Sequence, residues 1–288
     1  MRAPVLFLVS LAALAQPKHL IVIGVDGLGA SAIEKAKTPN LHALMKRGAS
    51  TLHARSVIPT VSSPNWASMI MGATPSQHGI TSNEWMPNKF EISPTCQGAN
   101  GTFPTIFSLL RQQRSKIKMG VVHDWKDFAR LIEPNTVDFM ENVKGSGKTA
   151  ARAIELWKLQ KPDLLFVHFD DVDHAGHNKG WWTPEYFAEV ERIDGLIGEI
   201  VNIVRAAQQE LNTIILVTAD HGGEGKGHGG MSMPHLEIPW IIAGPSIAEG
   251  RELKQPVDTQ DTAATLAHLF KVQPPACWVG RPVFEALR

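Results

Sequence analysis

The residue types able to do chemistry in this chain fall into four short groups. They are a lone Asp26 after the apolar run "HLIVIGV", a serine pair in "TVSSPNW" (Thr60 to Trp66), the stretch "DDVDHAGH" (Asp170 to His177), and "ADHGGEGKGHGG" (Ala219 to Gly230). In the third group Asp173 and His177 are four positions apart and share a face wherever that stretch winds helically. In the fourth, Asp220 and His221 are adjacent, and the glycines that follow let the backbone turn back and bring His228 towards them. His235 is a rival to His228 but sits further from the glycine turn. Carboxylates crowded together repel and rise in pKa unless a cation holds them ionised. A mixture of carboxylate and imidazole without thiolate suits zinc or manganese better than calcium. One or two divalent ions are therefore expected. Taken singly, each group has an ordinary explanation, since an Asp closing a strand often caps a helix and "DHGG" can be a plain turn. All of them together, at strand ends in one chain, weaken that explanation.

A hydroxyl beside such ions can act as a nucleophile without a histidine base, because a divalent ion sharply lowers the pKa of an oxygen it binds. Ser62 and Ser63 are the candidates. They precede Pro64, near which a helix is expected to begin, and a helix N-terminus favours an anionic phosphoryl group. Asn65 is placed to donate to a non-bridging oxygen as charge builds in a transition state. The competing explanation is a plain helix cap, serine followed by proline in the first turn.

These residues must be held by regular elements. Short apolar runs alternate with amphipathic stretches along the chain, the pattern of an α/β fold with a mainly parallel central sheet and helices on both faces. Strands are expected at His19 to Val25, Lys116 to Val122, Asp163 to Phe169, Thr213 to Ala219 and Ile238 to Gly244, and Arg55 falls in a further one. Helical spacing marks Thr38 to Gly48, Thr102 to Gln113, Thr149 to Gln160, Thr183 to Gln209 and Asp258 to Phe270. Ligands in such folds bind at the carboxyl ends of the strands, where Asp26, Asp170 to His177 and Asp220 to His221 all fall. Asp170, Asp171 and His174 receive no assigned role. Ser82 to Gly101, with Pro87 and Pro94, reads as a surface excursion or small cap near the site. "GSGKT" (Gly145 to Thr149) imitates a phosphate-binding loop but lacks the earlier glycine and the leading strand, and is read as a helix start.

The 288 residues, 43% of them hydrophobic, suffice for one large domain. Twenty-eight acidic residues balance 28 basic ones, so the bulk charge advertises neither nucleic acid nor an anionic membrane. Residues 1–15 read as a secretory signal peptide, with an Arg, an apolar run too short to span a bilayer and small residues before Gln16. A single domain over residues 16–288, exported to a periplasm or beyond and without a membrane span, is expected. Cys96 and Cys277 can pair in that compartment or equally be small buried residues.

The order "VDG", "TVSSPNW…GATPSQHGI", "DDVDHAGH", "TADHGG" and "GHGG…IPWIIAGP" resembles the alkaline phosphatase superfamily, in particular its type I phosphodiesterase/nucleotide pyrophosphatase branch, from about His19 to the final helix. The resemblance implies Ser62 as nucleophile, Asn65 as a phosphate contact, Asp26, Ser62, Asp220 and His221 around one metal ion, usually zinc, and Asp173, His177 and His228 around another. It also implies attack by Ser62 on phosphorus, a phosphoseryl intermediate and its hydrolysis by water. The substrate is then a small phosphate ester or nucleotide, with no stable nucleic-acid complex.

The chain departs from the family pattern at two positions. Trp66 stands where His or Tyr is usual, and Ser63 where an aromatic residue helps to stack a base. Ser63, Trp66, Asn83 and Trp85 are the candidates for substrate contact, with Trp181 and Trp182 as further stacking surfaces. A sulfatase would need arginine at position 66. A phosphomonoesterase would use the same metals and serine but adds a cation for the extra phosphate charge, and no Arg or Lys lies near Ser62 in the sequence. Monoester hydrolysis therefore ranks behind diester or pyrophosphate hydrolysis, and a secreted, metal-braced binding protein is the non-enzymatic alternative.

Overall fold

The apolar runs become the centre of one eight-stranded sheet. The computed structural model of the chain describes residues 17–87, 89–98 and 101–288. The proposed signal segment, residues 1–15, lies outside the described residues. In chain order the strands are β1 (His19–Val25), β2 (Gly48–Arg55), β3 (Met119–His123), β4 (Phe139–Asn142), β5 (Leu164–Phe169), β6 (Thr213–Ala219), β7 (Glu237–Ala243) and β8 (Arg251–Glu252). They lie side by side as β4-β3-β5-β1-β6-β7-β2-β8. All neighbours are parallel except β7, which runs against both β6 and β2.

The central strands are buried on both faces, as near-continuous β-branched and apolar runs require. Their cover comes from two sets of helices. Pro39–Arg47, Ser146–Gln160, Asp171–Lys179 and Pro184–Ala206 pack on one another, while Ser62–Met71, Ile106–Gln113 and Asp261–Leu269 form the second set. At Gly24 in β1 the second set packs directly on the strand: a Cβ there would lie 2.5 Å from the Trp66 ring.

Three strands differ from expectation by more than one residue. β3 starts at Met119 rather than Lys116, where its pairing with Leu164 begins. β4 and β8 carry no apolar run, because they are short strands towards the two edges with half-exposed or exposed side chains. "GSGKT" does open a helix, with Gly145 as the residue before Ser146–Gln160. The helix expected near Pro64 begins at Ser62, two residues earlier, with Val61 at its cap position. Cys96 and Cys277 form a disulfide, joining the 82–101 excursion to the C-terminal segment. No helix of the described residues is long and apolar enough to cross a membrane.

Candidate active site

Register explains the site. Val25 at the end of β1 pairs with Phe169 on β5 and with Ala219 on β6. The next residue on each strand is an aspartate, so Asp26, Asp170 and Asp220 leave three adjacent strands at one level. The backbone N–H of Asp26 still donates to Phe169 O at 2.8 Å. Beyond β5 the chain winds into the helix Asp171–Lys179, which carries Asp173 and His177 on one face. Gly27 allows this closeness: its φ is +70°, and a Cβ there would lie 2.7 Å from the Asp173 Cα.

One ligand atom from each of Asp26, Asp220 and His221 falls within 4.8 Å of the others, and the same holds for Asp173, His221 and His228 and for Asp26, Asp170 and Asp173. His177 Nε2 adds to this cluster, 3.4 Å from Asp173 Oδ2. His228 Nε2 lies 3.8 Å from Asp173 Oδ1, and the His221 and His228 rings stack at 3.9 Å. All seven sequence candidates for metal binding thus converge: Ser62 Oγ sits 3.4 Å from His221 Nε2, which is itself 3.5 Å from Asp26 Oδ1 and 3.3 Å from Asp220 Oδ2.

The histidines are prepared as ligands. Nδ1 of His177 faces Lys226 O at 3.0 Å, that of His221 faces Gly222 O at 2.9 Å, and that of His228 faces Thr60 O at 3.0 Å. A carbonyl only accepts, so each Nδ1 carries the proton and each Nε2 turns a lone pair into the space it shares with the carboxylates. His235 differs: its Nδ1 accepts from Gly230 N–H, so its Nε2 carries the proton and approaches Glu224. That geometry separates His228 from its rival.

The electrostatics call for a cation. Burial, with the charge of Asp26 next, pushes the carboxyls of Asp220 and Asp173 well above the usual range. Burial and Asp26 also push Asp170 up to about 7. Burial opposes the charge of Asp26 itself, but the close approach of His168 and His221 and the bond from Trp66 hold it well below the usual range. Burial takes His221 down to about 3, and it lowers His228 as well. Three buried carboxylate oxygens, Asp26 Oδ1, Asp173 Oδ1 and Asp220 Oδ2, have no hydrogen-bond partner among the described residues. Unpartnered oxygens facing imidazole lone pairs are the donor set a divalent ion fits.

Several expectations need correction. Asn65 does not face the site: its amide oxygen accepts from Val57 N–H at 2.7 Å, and its NH2 donates to the carbonyls of Val57, Pro59 and Val61. It is fully buried and fastens the loop before Ser62. Trp66 is likewise no substrate platform. Its Nε1 donates to Asp26 Oδ2 at 3.0 Å and its ring packs on His168 and Phe128. Trp85 is 4% exposed and packs on Phe90. Trp181 is buried too, donating to Gly27 O beneath His177. Trp182 donates to Gly223 O.

Asn83 and Ser63 do lie beside Ser62, where Ser63 N–H donates to Asn83 Oδ1 at 2.7 Å. The Ser62 hydroxyl makes no capping bond, which removes the plain-cap explanation. Of the unassigned residues Asp170 joins the cluster, whereas Asp171 accepts from Ser146 N–H and Arg192 and serves the helix ends. His174 pairs with Asp170 at 3.3 Å from the rim. Sequence reasoning missed His168, whose Nε2 lies 3.4 Å from Asp26 Oδ2, and Arg130, whose Nη2 donates to Ser63 Oγ at 3.1 Å. A histidine inside the apolar strand "LLFVHF" was the available signal for the first. No local signal marked the second.

Comparison with known proteins agrees with this architecture. Residues 20–225 match the family model for type I phosphodiesterase/nucleotide pyrophosphatase. An uncharacterized pyrophosphatase/phosphodiesterase of Schizosaccharomyces pombe is 24% identical over 219 residues, 70% of this chain and 44% of that protein. The bis(5'-adenosyl)-triphosphatase of Homo sapiens is 24% identical over 219 residues, 72% of this chain and 48% of its own length. The chain therefore spans less than half the length of these relatives. Murine ectonucleotide pyrophosphatase/phosphodiesterase 5, solved as an inactive variant with AMP, superposes with a TM-score of 0.79 at 16% identity, over 94% of this chain and all of that one. A 2-O GAG sulfatase shares the fold at a TM-score of 0.73 and 17% identity, over 95% of this chain and 74% of its own.

Proposed function

Because the chain belongs to the type I phosphodiesterase/nucleotide pyrophosphatase family, we propose that it is a metal-dependent phosphoric ester hydrolase whose nucleophile is the Ser62 hydroxyl. The observation that carries this reading is the approach of Ser62 Oγ to the Nε2 side of His221 among unpartnered carboxylate oxygens. Asp26, Ser62, Asp220 and His221 would hold one divalent ion and Asp173, His177 and His228 a second, with zinc favoured by the donor set and manganese possible. Such ions supply Lewis acidity, keeping the carboxylates ionised, lowering the pKa of the serine hydroxyl and offsetting charge on the phosphoryl oxygens.

The protein's own residues do the rest. Ser62 sits at the first position of its helix, where the helix dipole favours an anion; the Ser63 N–H is taken by Asn83 and Pro64 has none, which leaves the Ser62 N–H as the backbone donor of this end. Its Oγ bonds to phosphorus while the bond to the leaving oxygen breaks, and water then splits the phosphoseryl ester. The Asn83 amide accepts the Ser63 N–H on its oxygen and its NH2 takes no partner among the described residues, so it is assigned the role expected of Asn65. His168 and Trp66 hold Asp26 in place from behind.

The preferred substrates are phosphodiesters or pyrophosphates of small molecules, in line with the names of the relatives. Base recognition has no counterpart in Trp66 or Trp85, both buried. Export with removal of residues 1–15 is part of the same reading, and the Cys96–Cys277 disulfide supports it.

The test is turnover of bis-p-nitrophenyl phosphate and of the p-nitrophenyl ester of thymidine monophosphate by zinc-loaded protein, with elemental analysis of the same sample. Two divalent ions per chain, loss of turnover on chelation and recovery with zinc are expected. A metal-free, fully active preparation would overturn the mechanism, and zinc-loaded protein without turnover would make it a binding protein.

A further inference from the structure

We propose that Arg130 equips this site to hydrolyse phosphate monoesters, its guanidinium taking the extra negative charge that a terminal phosphoryl group carries and a diester lacks. The inference rests on the reading of Ser62 as nucleophile and extends it to a second substrate class. A monoester phosphate bears close to two negative charges at neutral pH, a diester one. A site built only of carboxylates and imidazoles would have nothing outside its metal ions to meet that second charge.

The sequence offered no such cation near Ser62, yet the fold supplies one. The 3-10 turn Lys126–Leu131 brings Arg130 against the nucleophile helix. Arg130 Nη2 donates both to Ser63 Oγ, one residue from the nucleophile, and to the backbone carbonyl of Asn83. Asn83 in turn accepts the Ser63 N–H. Arg130, Ser63 and Asn83 thus form one polar group at the N-terminal end of the helix.

This guanidinium is not spent on a structural ion pair. Arg152 and Arg192 each hold two carboxylates at 2.7 Å or less. Arg130 has among the described residues only Asp127, at 3.7 Å and partly exposed. Its Nη1 otherwise meets only the weak acceptor Met86 Sδ at 3.7 Å. Its buried Nε has no hydrogen-bond partner among the described residues. Its side chain is 15% exposed, so the charge is sheltered while donors remain to be satisfied. A planar fork of N–H groups bonded to the residue next to Ser62 has the geometry that matches the oxygens of a terminal phosphoryl group.

The reaction balances without any further reagent. The Ser62 Oγ–P bond forms as the P–O bond to the alcohol breaks, and the proton lost by Ser62 is matched by the one the alcohol gains. Water then adds hydroxyl to phosphorus and returns a proton to Ser62, giving alcohol and inorganic phosphate.

The experiment compares wild-type, Arg130→Met and Arg130→Lys, all zinc-loaded, on p-nitrophenyl phosphate and bis-p-nitrophenyl phosphate, and measures binding of inorganic phosphate and of dimethyl phosphate by calorimetry. Arg130→Met should lose about 100-fold or more in kcat/KM on the monoester, and the loss on the diester, which comes only through the displaced Ser63 and Asn83, should be at least about tenfold smaller. Inorganic phosphate should bind at least about tenfold more weakly while dimethyl phosphate is unaffected, and Arg130→Lys should recover part of the monoester rate. Equal losses on both esters would reduce Arg130 to a latch and overturn the proposal, as would wild-type protein that cleaves the diester but not the monoester. Wild-type protein that cleaves neither would remove the Ser62 reading itself, and this proposal with it.

Discussion

At the scale of single residues, the site is defined by which atom each side chain presents. Three histidines spend Nδ1–H on backbone carbonyls and keep Nε2 for the carboxylates. Ser62 offers its hydroxyl to that same group rather than to its own helix. Ser62→Ala should therefore lower turnover of either ester class by several orders of magnitude while the protein still retains close to two metal ions, because six other ligand candidates remain. Single-turnover kinetics with elemental analysis checks this, and undiminished turnover would move the nucleophile to Ser63. Asn65 and Trp66 show the limit of reading residue types from a motif. Both belong to the "SSPNW" run, but a helix presents each side chain in a different direction. Ser62 meets the ligands, Asn65 turns back onto the loop, and Trp66 reaches under Asp26.

At the scale of elements, the helix that carries Ser62 is held by neighbours outside the site. His78, at the end of the short helix Pro75–His78, accepts the Ile80 N–H on Nδ1, so its Nε2 carries the proton and donates to Ser68 Oγ at 2.9 Å. Burial pushes this imidazole down to about 3. The folded protein thus keeps it neutral, whereas the unfolded chain takes up a proton near pH 6.5. The sign follows: this contribution is intact above pH 6.5 and is lost as pH falls from there towards 3, at about 1.4 kcal/mol per pH unit. In urea unfolding between pH 6 and 5, His78→Asn should have a pH slope smaller than wild type by close to one proton. Identical slopes would mean that His78 is not a buried neutral group. The difference between variants cancels whatever the metal ligands contribute.

At the scale of the whole molecule, the disulfide ties the 82–101 excursion to the C-terminal segment across 181 positions. Closing so long a loop restricts the unfolded chain, so Cys96→Ser with Cys277→Ser should cost about 2–5 kcal/mol and lower Tm by about 5–15 °C in thermal unfolding. Thiol titration of the oxidised protein should find no free cysteine, and an unchanged Tm would show that the excursion is secured by packing alone. The same scale divides what was legible from what was not. By itself the amino-acid sequence determined that apolar runs alternate with amphipathic helices and that Asp26, Asp170, Asp173, Asp220 and His221 follow strands, because apolar periodicity and strand-end chemistry are local properties. It also determined the family, through motifs whose order along the chain is itself the signal. Only the tertiary structure decided that β5, β1 and β6 are neighbours, which turns three distant strand ends into one cluster. It alone decided that Cys96 meets Cys277, that Asn65 and Trp66 turn inward, and that Arg130 reaches Ser63 from 67 positions away. Strand order and the rotation of a helix about its axis are settled by packing over the whole core, and no short stretch of sequence carries that information.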